Sequence, residues 1–405
     1  MTALRPSPAV DNAADILRVD LAYERLNHLW AMHGPVTIGS IYQYPGPRAN
    51  VIGLDDSEVD RIVRGIRTFF AWGANNDWIA EWTKAGEQYS ARAEAAMAAG
   101  RKVTAGETWR LASSCYFFGW YIHNHFVPIP ARDRAQALCI EAYRKAAPLL
   151  NPPSIRVDIP FRGRTLPGYL RVPDGRAKTS AKTRWPVVVV VGGANSTKEE
   201  NHPLTTQMLQ RGLATLAYDG PGQNEYLLNG GEPLTMVAYD ASLNAVVDWL
   251  CADERIDSDR IGLFGRSGGG ITGMHAAASE PRLKALVAHP ATYDWGPRIR
   301  NGMDVLTLPL EVGHWLGART LEEVKAFAER ELTIRGVVGA IKARMLLVNG
   351  RYDSFFDIAD LELLKAEATA PVETIIFDAP VHGGPPSLSW PLASDWLAEQ
   401  LGGIP

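Results

Sequence analysis

The sequence predicts an α/β architecture: a mostly parallel central sheet with helices on both faces, an N-terminal helical domain and a helical lid insertion. Three observations predict it. The texture changes from helical to alternating at Asn151-Pro152-Pro153. Beyond that point, short β-branched apolar runs alternate with amphipathic segments, the pattern of a parallel sheet with crossover helices. The stretch from about 291 to 341 then interrupts the alternation and reads as mostly helical.

The first part, residues 1–150, is expected to form a helical domain contributing to the lid and the substrate pocket. Glu58–Phe70, Asp77–Ala99 and Thr104–Asn124 carry apolar residues at three-to-four spacing, the period of a helix with one buried face. Six tryptophans (Trp30, Trp72, Trp78, Trp82, Trp109 and Trp120) lie here. Helix packing is their first explanation, and lining an apolar pocket the second. His123 and His125 are two apart, so on a helix they diverge and do not share a metal.

Residues 151–405 are expected to be the catalytic core, with the insertion at about 291–341 serving as lid. Ser154–Pro160 and Gly168–Val172 read as a strand pair. Trp185–Val191 is a continuous β-branched run, as in a strand buried on both faces. Leu213–Tyr218, Arg260–Phe264, Lys284–Ala288, Arg344–Val348 and Thr374–Phe377 complete the strands. Helices are expected over Leu234–Cys251, Ile271–Ser279, Ile358–Ala368 and Ser387–Leu401.

The composition excludes several classes. Of 405 residues, 46% are hydrophobic and 21% charged, as in globular proteins. The net charge of −4 and the lack of a basic stripe speak against a nucleic-acid partner. No apolar run has signal-peptide or membrane-spanning length, and three scattered cysteines do not make a disulfide framework. A cytoplasmic protein without metal, cofactor or membrane partner is the resulting expectation.

The chemistry lies in Gly265-Arg-Ser-Gly-Gly269. This is G-x-S-x-G directly after a buried strand and before a helix, the nucleophile elbow of the α/β-hydrolase fold. A serine on so sharp a turn projects its hydroxyl above the sheet edge, and glycines two residues to either side let strand and helix approach closely. Ser267 is therefore the candidate nucleophile. The order Ser, acid, His then selects Asp353, just after Arg344–Val348, and His382, after the last strand. Asp357 is the competing acid and His289 the fallback base. The backbone N–H of Gly268, at the start of a helix, can face a developing oxyanion. The loop after Trp185–Val191 is placed to give a second donor, for which register selects Ala194.

Three strings occur together: Gly192-Gly-Ala-Asn-Ser-Thr-Lys-Glu-Glu200, Asp219-Gly-Pro-Gly-Gln223 and the elbow. With them the chain resembles the FrsA-like branch of the α/β hydrolases, a branch that includes 2,6-dihydroxypseudooxynicotine hydrolase and fungal enzymes that shorten polyketide chains. The resemblance implies a helical N-terminal domain on a hydrolase core and Ser267, Asp353 and His382 as triad. It further implies a carbonyl-directed hydrolase, most readily one cleaving a carbon–carbon bond in an aromatic or polyketide-like ketone. Related enzymes are often dimers, so a homodimer is one expectation. Asn195, Asn224 and the Gly-Gly-Pro-Pro-Ser after His382 depart from the branch pattern; they flank the pocket and bear on substrate identity more than on the reaction class. A carboxylesterase, lactonase or amidase would use the same residues, as would an acyltransferase. A non-catalytic binding protein is the alternative from another class. Lys198, Glu199 and Glu200 read as the start of a helix, where acids are favoured, and Arg298 and Arg300 as solvated lid charges or substrate anchors.

Overall fold

Eight strands hydrogen-bond into one sheet in a computed structural model. The structure describes residues 48, 51–66, 77–121, 129–176, 184–300, 308–353 and 355–404. Trp30, Trp72, His123 and His125 lie outside the described residues. The chain forms two compact units, Met1–Asn151 with Met303–Val324, and Pro152–Gly302 with Lys325–Pro405.

In the first unit, helices α1 (Asp56–Val63), α2 (Asp77–Ala98), α3 (Lys102–Trp120) and α4 (Pro130–Ala146) carry the core. Asp55 caps α1 by accepting from Glu58 N at 3.0 Å, and Pro130 opens α4, where its missing N–H costs nothing. Trp78, Trp82, Phe117, Phe118 and Trp120 are essentially inaccessible. Their rings interlock at 4.9 Å for Trp82–Phe118 and 5.5 Å for Phe117–Trp120. The described tryptophans of this region thus pack the helices together.

The second unit is the sheet with its helices. Strands β1 (Ile155–Phe161) and β2 (Arg164–Arg171) form an antiparallel pair, and β2 runs antiparallel to β4 (Ala214–Tyr218). From β4 onward the sheet is parallel through β3 (Trp185–Val191), β5 (Ile256–Arg266), β6 (Leu283–His289), β7 (Arg344–Gly350) and β8 (Val372–Phe377). Val187 to Val191 of β3 are wholly buried, as a strand covered on both faces requires. The connecting helices are α5 (His202–Gln210), α6 (Asn224–Leu228), α7 (Met236–Ala252) and α8 (Gly268–Ala277). After β6 come α9 (Gly296–Arg300), α10 (Leu308–Leu316) and α11 (Leu321–Glu331), then α12 (Asp360–Glu367) and α13 (Pro386–Leu401). Of the stretch between β6 and β7, residues 303–324 cluster with the first unit and the remainder with the second.

The parallel strands all end at one edge of the sheet, where ligands of open α/β folds bind. Val191 of β3 stands opposite Gly265 of β5, and Gly350 of β7 opposite Phe377 of β8. The loops carrying Ala194, Ser267, Asp353 and His382 therefore leave the sheet at that same edge.

Candidate active site

Ser267 follows β5 immediately and precedes α8 with φ 53 and ψ −126, a conformation unfavourable for a residue with a Cβ. Two features hold it there. Its N–H donates to His289 O at 2.8 Å, tying the turn to β6. The glycines on either side permit close backbone approach: a Cβ on Gly265 would run into Gly269 O, and one on Gly269 would lie 2.7 Å from Gly192 O.

Ser267 Oγ lies 2.8 Å from His382 Nε2, and His382 Nδ1 lies 2.7 Å from Asp353 Oδ2. The structure thus brings together the three side chains selected from the sequence. Asp353 Oδ1 accepts from the backbone N–H groups of Phe355 at 2.8 Å and Phe356 at 3.4 Å. Burial would push the Asp353 carboxyl up, but His382 and these two N–H groups outweigh it and hold it below its usual value. The His382 ring is flanked edge-on by Phe355 and Phe356, with centroids at 5.1 and 5.0 Å. Phe356 also packs against Trp295 at 5.2 Å.

The rivals are engaged elsewhere. Asp357 pairs with Arg298 at 3.2 Å. Buried His289 points its Nε2 at Ser389 Oγ, 2.8 Å away. Burial first, then the nearby Arg266 and His382, depress His289 to about 3, so it is neutral at physiological pH.

Gly268 opens α8, in the first turn, whose N–H groups have no acceptor within the helix. Ala194 lies in the loop after β3. Gln223 supports that loop from behind, its Nε2 donating to Gly192 O at 2.8 Å while its Oε1 accepts from Gly220 N at 2.9 Å.

Lys198, Glu199 and Glu200 stand at the start of the helical segment, as the sequence suggested, and carry a further role. They are buried, and Glu199–Asn201 forms a short 3-10 turn before α5. Lys198 Nζ lies 2.7 Å from Glu199, 2.8 Å from Asp219 and 2.6 Å from Glu225. Burial alone would pull Lys198 down; the three carboxylates reverse this and hold it charged. Glu225, despite burial, is lowered to about 2 by Lys198 and Arg156. This role leaves no local trace in the sequence, because the partners, Asp219 and Glu225, lie far along the chain. Among the described residues, no cluster of three or more His, Cys, Asp or Glu could hold a metal, and no helix is long and apolar enough to cross a membrane.

Comparison with known proteins identifies the family of the chain. The chain is 34% identical over 300 residues to 2,6-dihydropseudooxynicotine hydrolase of Paenarthrobacter nicotinovorans, covering 72% of this chain and 76% of that enzyme. The chain belongs to the α/β-hydrolase family of that enzyme. This hydrolase also matches a solved structure of 2,6-dihydroxy-pseudo-oxynicotine hydrolase with a TM-score of 0.76 and 26% identity, over 88% of this chain and 95% of the other. An alpha/beta hydrolase of Penicillium citrinum is 31% identical over 52% of this chain and 50% of its own, so the hydrolase spans about half of that fungal relative. The profile of the X-Pro dipeptidyl-peptidase (S15) family matches residues 166–307, the stretch that includes the loop after β3 and the elbow.

Proposed function

We propose that Ser267, His382 and Asp353 form the catalytic triad of a hydrolase that attacks the carbonyl of a small aromatic or polyketide-like ketone and cleaves the adjacent carbon–carbon bond. One observation carries the triad, an unbroken relay of 2.8 and 2.7 Å from a serine at positive φ, through one imidazole, to a buried carboxylate, and the likeness to 2,6-dihydropseudooxynicotine hydrolase supports the choice of bond. The partly exposed Phe355 ring beside His382 favours an aromatic substrate.

The chemistry follows from the geometry. His382 Nε2 takes the Ser267 proton as Oγ adds to the carbonyl. Asp353 fixes the tautomer that leaves Nε2 free to accept, and offsets the imidazolium charge. Gly268 N–H and Ala194 N–H serve as oxyanion donors. Collapse of the adduct breaks the carbon–carbon bond, and the carbanion takes the proton from His382. Water, deprotonated by His382, then releases the acyl group as a carboxylic acid. The leaving carbon must be stabilised, as it is when a β-diketone releases the enolate of a methyl ketone. The substrate is a small molecule and the core 151–405 carries the chemistry.

A second reading has its own support: the S15 profile over 166–307 favours ester or amide cleavage by the same triad. Product analysis with an aryl β-diketone and with p-nitrophenyl butyrate separates the two. The first reading expects a carboxylic acid plus a methyl ketone from the diketone. Turnover of the ester with the diketone untouched would transfer the assignment to an esterase. Either way, Ser267→Ala is expected to lower kcat by roughly 10⁴-fold or more.

A further inference from the structure

Arg266 fills the variable position just before the nucleophile. An elbow works through backbone geometry and asks nothing particular of this side chain, yet here it is committed to a specific task. Nη1 donates to Asn201 Oδ1 at 2.9 Å and Nη2 to Glu200 Oε1 at 3.0 Å. The second Glu200 oxygen accepts from Ser196 Oγ at 2.8 Å. Ser196 N in turn donates to Gly193 O at 3.3 Å. Gly193 closes the circuit, because a Cβ there would stand 2.9 Å from Ser267 Cβ. A ring of contacts therefore runs from Ser267 through Arg266, Glu200, Ser196 and Gly193 back to Ser267. Ala194 lies on that ring, between Gly193 and Ser196.

The Glu200 side chain is 0% exposed and that of Arg266 16%. A surface ion pair would place little constraint on its neighbours. A buried carboxylate held by a guanidinium fork is different: either partner alone would be an uncompensated charge, so the pair keeps its geometry. The arginine fork spans two acceptors, Glu200 and Asn201, both on the turn following the loop, which a single ammonium cannot reproduce.

We propose that Arg266 and Glu200 are positioning residues that set the separation between the Ala194 N–H and Ser267 Oγ, and hence the strength of the oxyanion hole. The proposal rests on the triad and oxyanion donors assigned above. It places the pair's effect in the transition state, when the oxyanion forms, and not in substrate binding.

The test uses the full chain with Arg266→Lys, Arg266→Met and Glu200→Gln, each checked by thermal melting. Kinetics are measured with p-nitrophenyl butyrate. Affinity is measured for phenyl trifluoromethyl ketone, whose serine adduct is tetrahedral and carries an oxyanion. Arg266→Met is expected to lower kcat by about 10–100-fold, as misplacing a preorganised donor does, with KM within about threefold. The affinity for the trifluoromethyl ketone should fall in parallel with kcat. Glu200→Gln, isosteric but uncharged, should show the same pattern to a smaller degree, and Arg266→Lys should recover part of the loss. If Arg266→Met does not fold, the lysine and glutamine variants carry the same comparison. Folded variants with a lowered melting temperature, but with kcat and inhibitor affinity within twofold of wild type, would reduce the pair to a structural role and overturn the proposal. A Ser267→Ala protein as active as wild type would instead remove the triad reading itself, so the two failures are distinguishable.

Discussion

Asp353 and Asp357 sit four residues apart in one loop, and only their partners tell them apart. Asp353 faces His382 at 2.7 Å and takes two backbone N–H groups; Asp357 faces Arg298. Removing the Asp353 charge while keeping its shape leaves His382 without the group that fixes its tautomer, so Asp353→Asn is expected to lower kcat by about 10³–10⁴-fold. Asp357→Asn should stay within about threefold. Steady-state kinetics on the two variants check this, and an equal loss in both would mean the acid had been misassigned. Both acids lie between Ser267 and His382 in chain order, so in the sequence only the closer position after Arg344–Val348 favoured Asp353. Arg266 and Glu200 were illegible for the opposite reason: they pair across 66 residues, and no local pattern distinguishes a buried arginine fork from a surface one.

At the scale of the element, the elbow is a joint of close backbone approach. Gly269 sits where α8 passes the end of β3, and an added Cβ would run into Val191 O and Gly192 O. A methyl there must displace either the helix or the loop bearing Ala194. Gly269→Ala is therefore expected to cost about 1–3 kcal/mol, the usual penalty for overpacking, and to depress kcat as well. Thermal melting and kinetics on the same preparation test both; a variant with wild-type melting and turnover would contradict the close approach. The strands were legible because β-branched runs such as Trp185–Val191 have few alternatives. Their ends were less so: β5 begins at Ile256, four residues before Arg260, where Asp257 and Asp259 mask the strand. The five-residue α6 went unrecognised because a single turn shows no periodicity.

Across the whole molecule, the α/β class was visible in the change of texture at Pro152-Pro153, since a parallel sheet requires alternation of strand and helix. The assignment of residues 303–324 to the helical unit was not, because clustering between segments distant in the chain leaves no local trace. Stability against acid is a property at this scale. His289 is depressed from 6.5 to about 3 and His314, in α10, also to about 3, each chiefly by burial. Between pH 6.5 and 3 the unfolded chain binds these protons and the folded chain does not, so stability is lost as the pH falls through that window, by about 1.4 kcal/mol per pH unit for each histidine. Asp353, lowered in the fold, adds to the loss as the pH drops below its unfolded value of 3.8. The melting temperature should therefore decline from pH 6.5 toward 4, and less steeply in His289→Gln, whose amide can keep a bond to Ser389. Identical pH slopes for the two proteins would show that His289 is not buried neutral.

The central claim is that Ser267 is an activated nucleophile, and intact-mass spectrometry after fluorophosphonate treatment tests it most directly. The account predicts one phosphonyl adduct per chain on the wild type and none on Ser267→Ala. An unmodified wild type, or an equal adduct on both proteins, would contradict it.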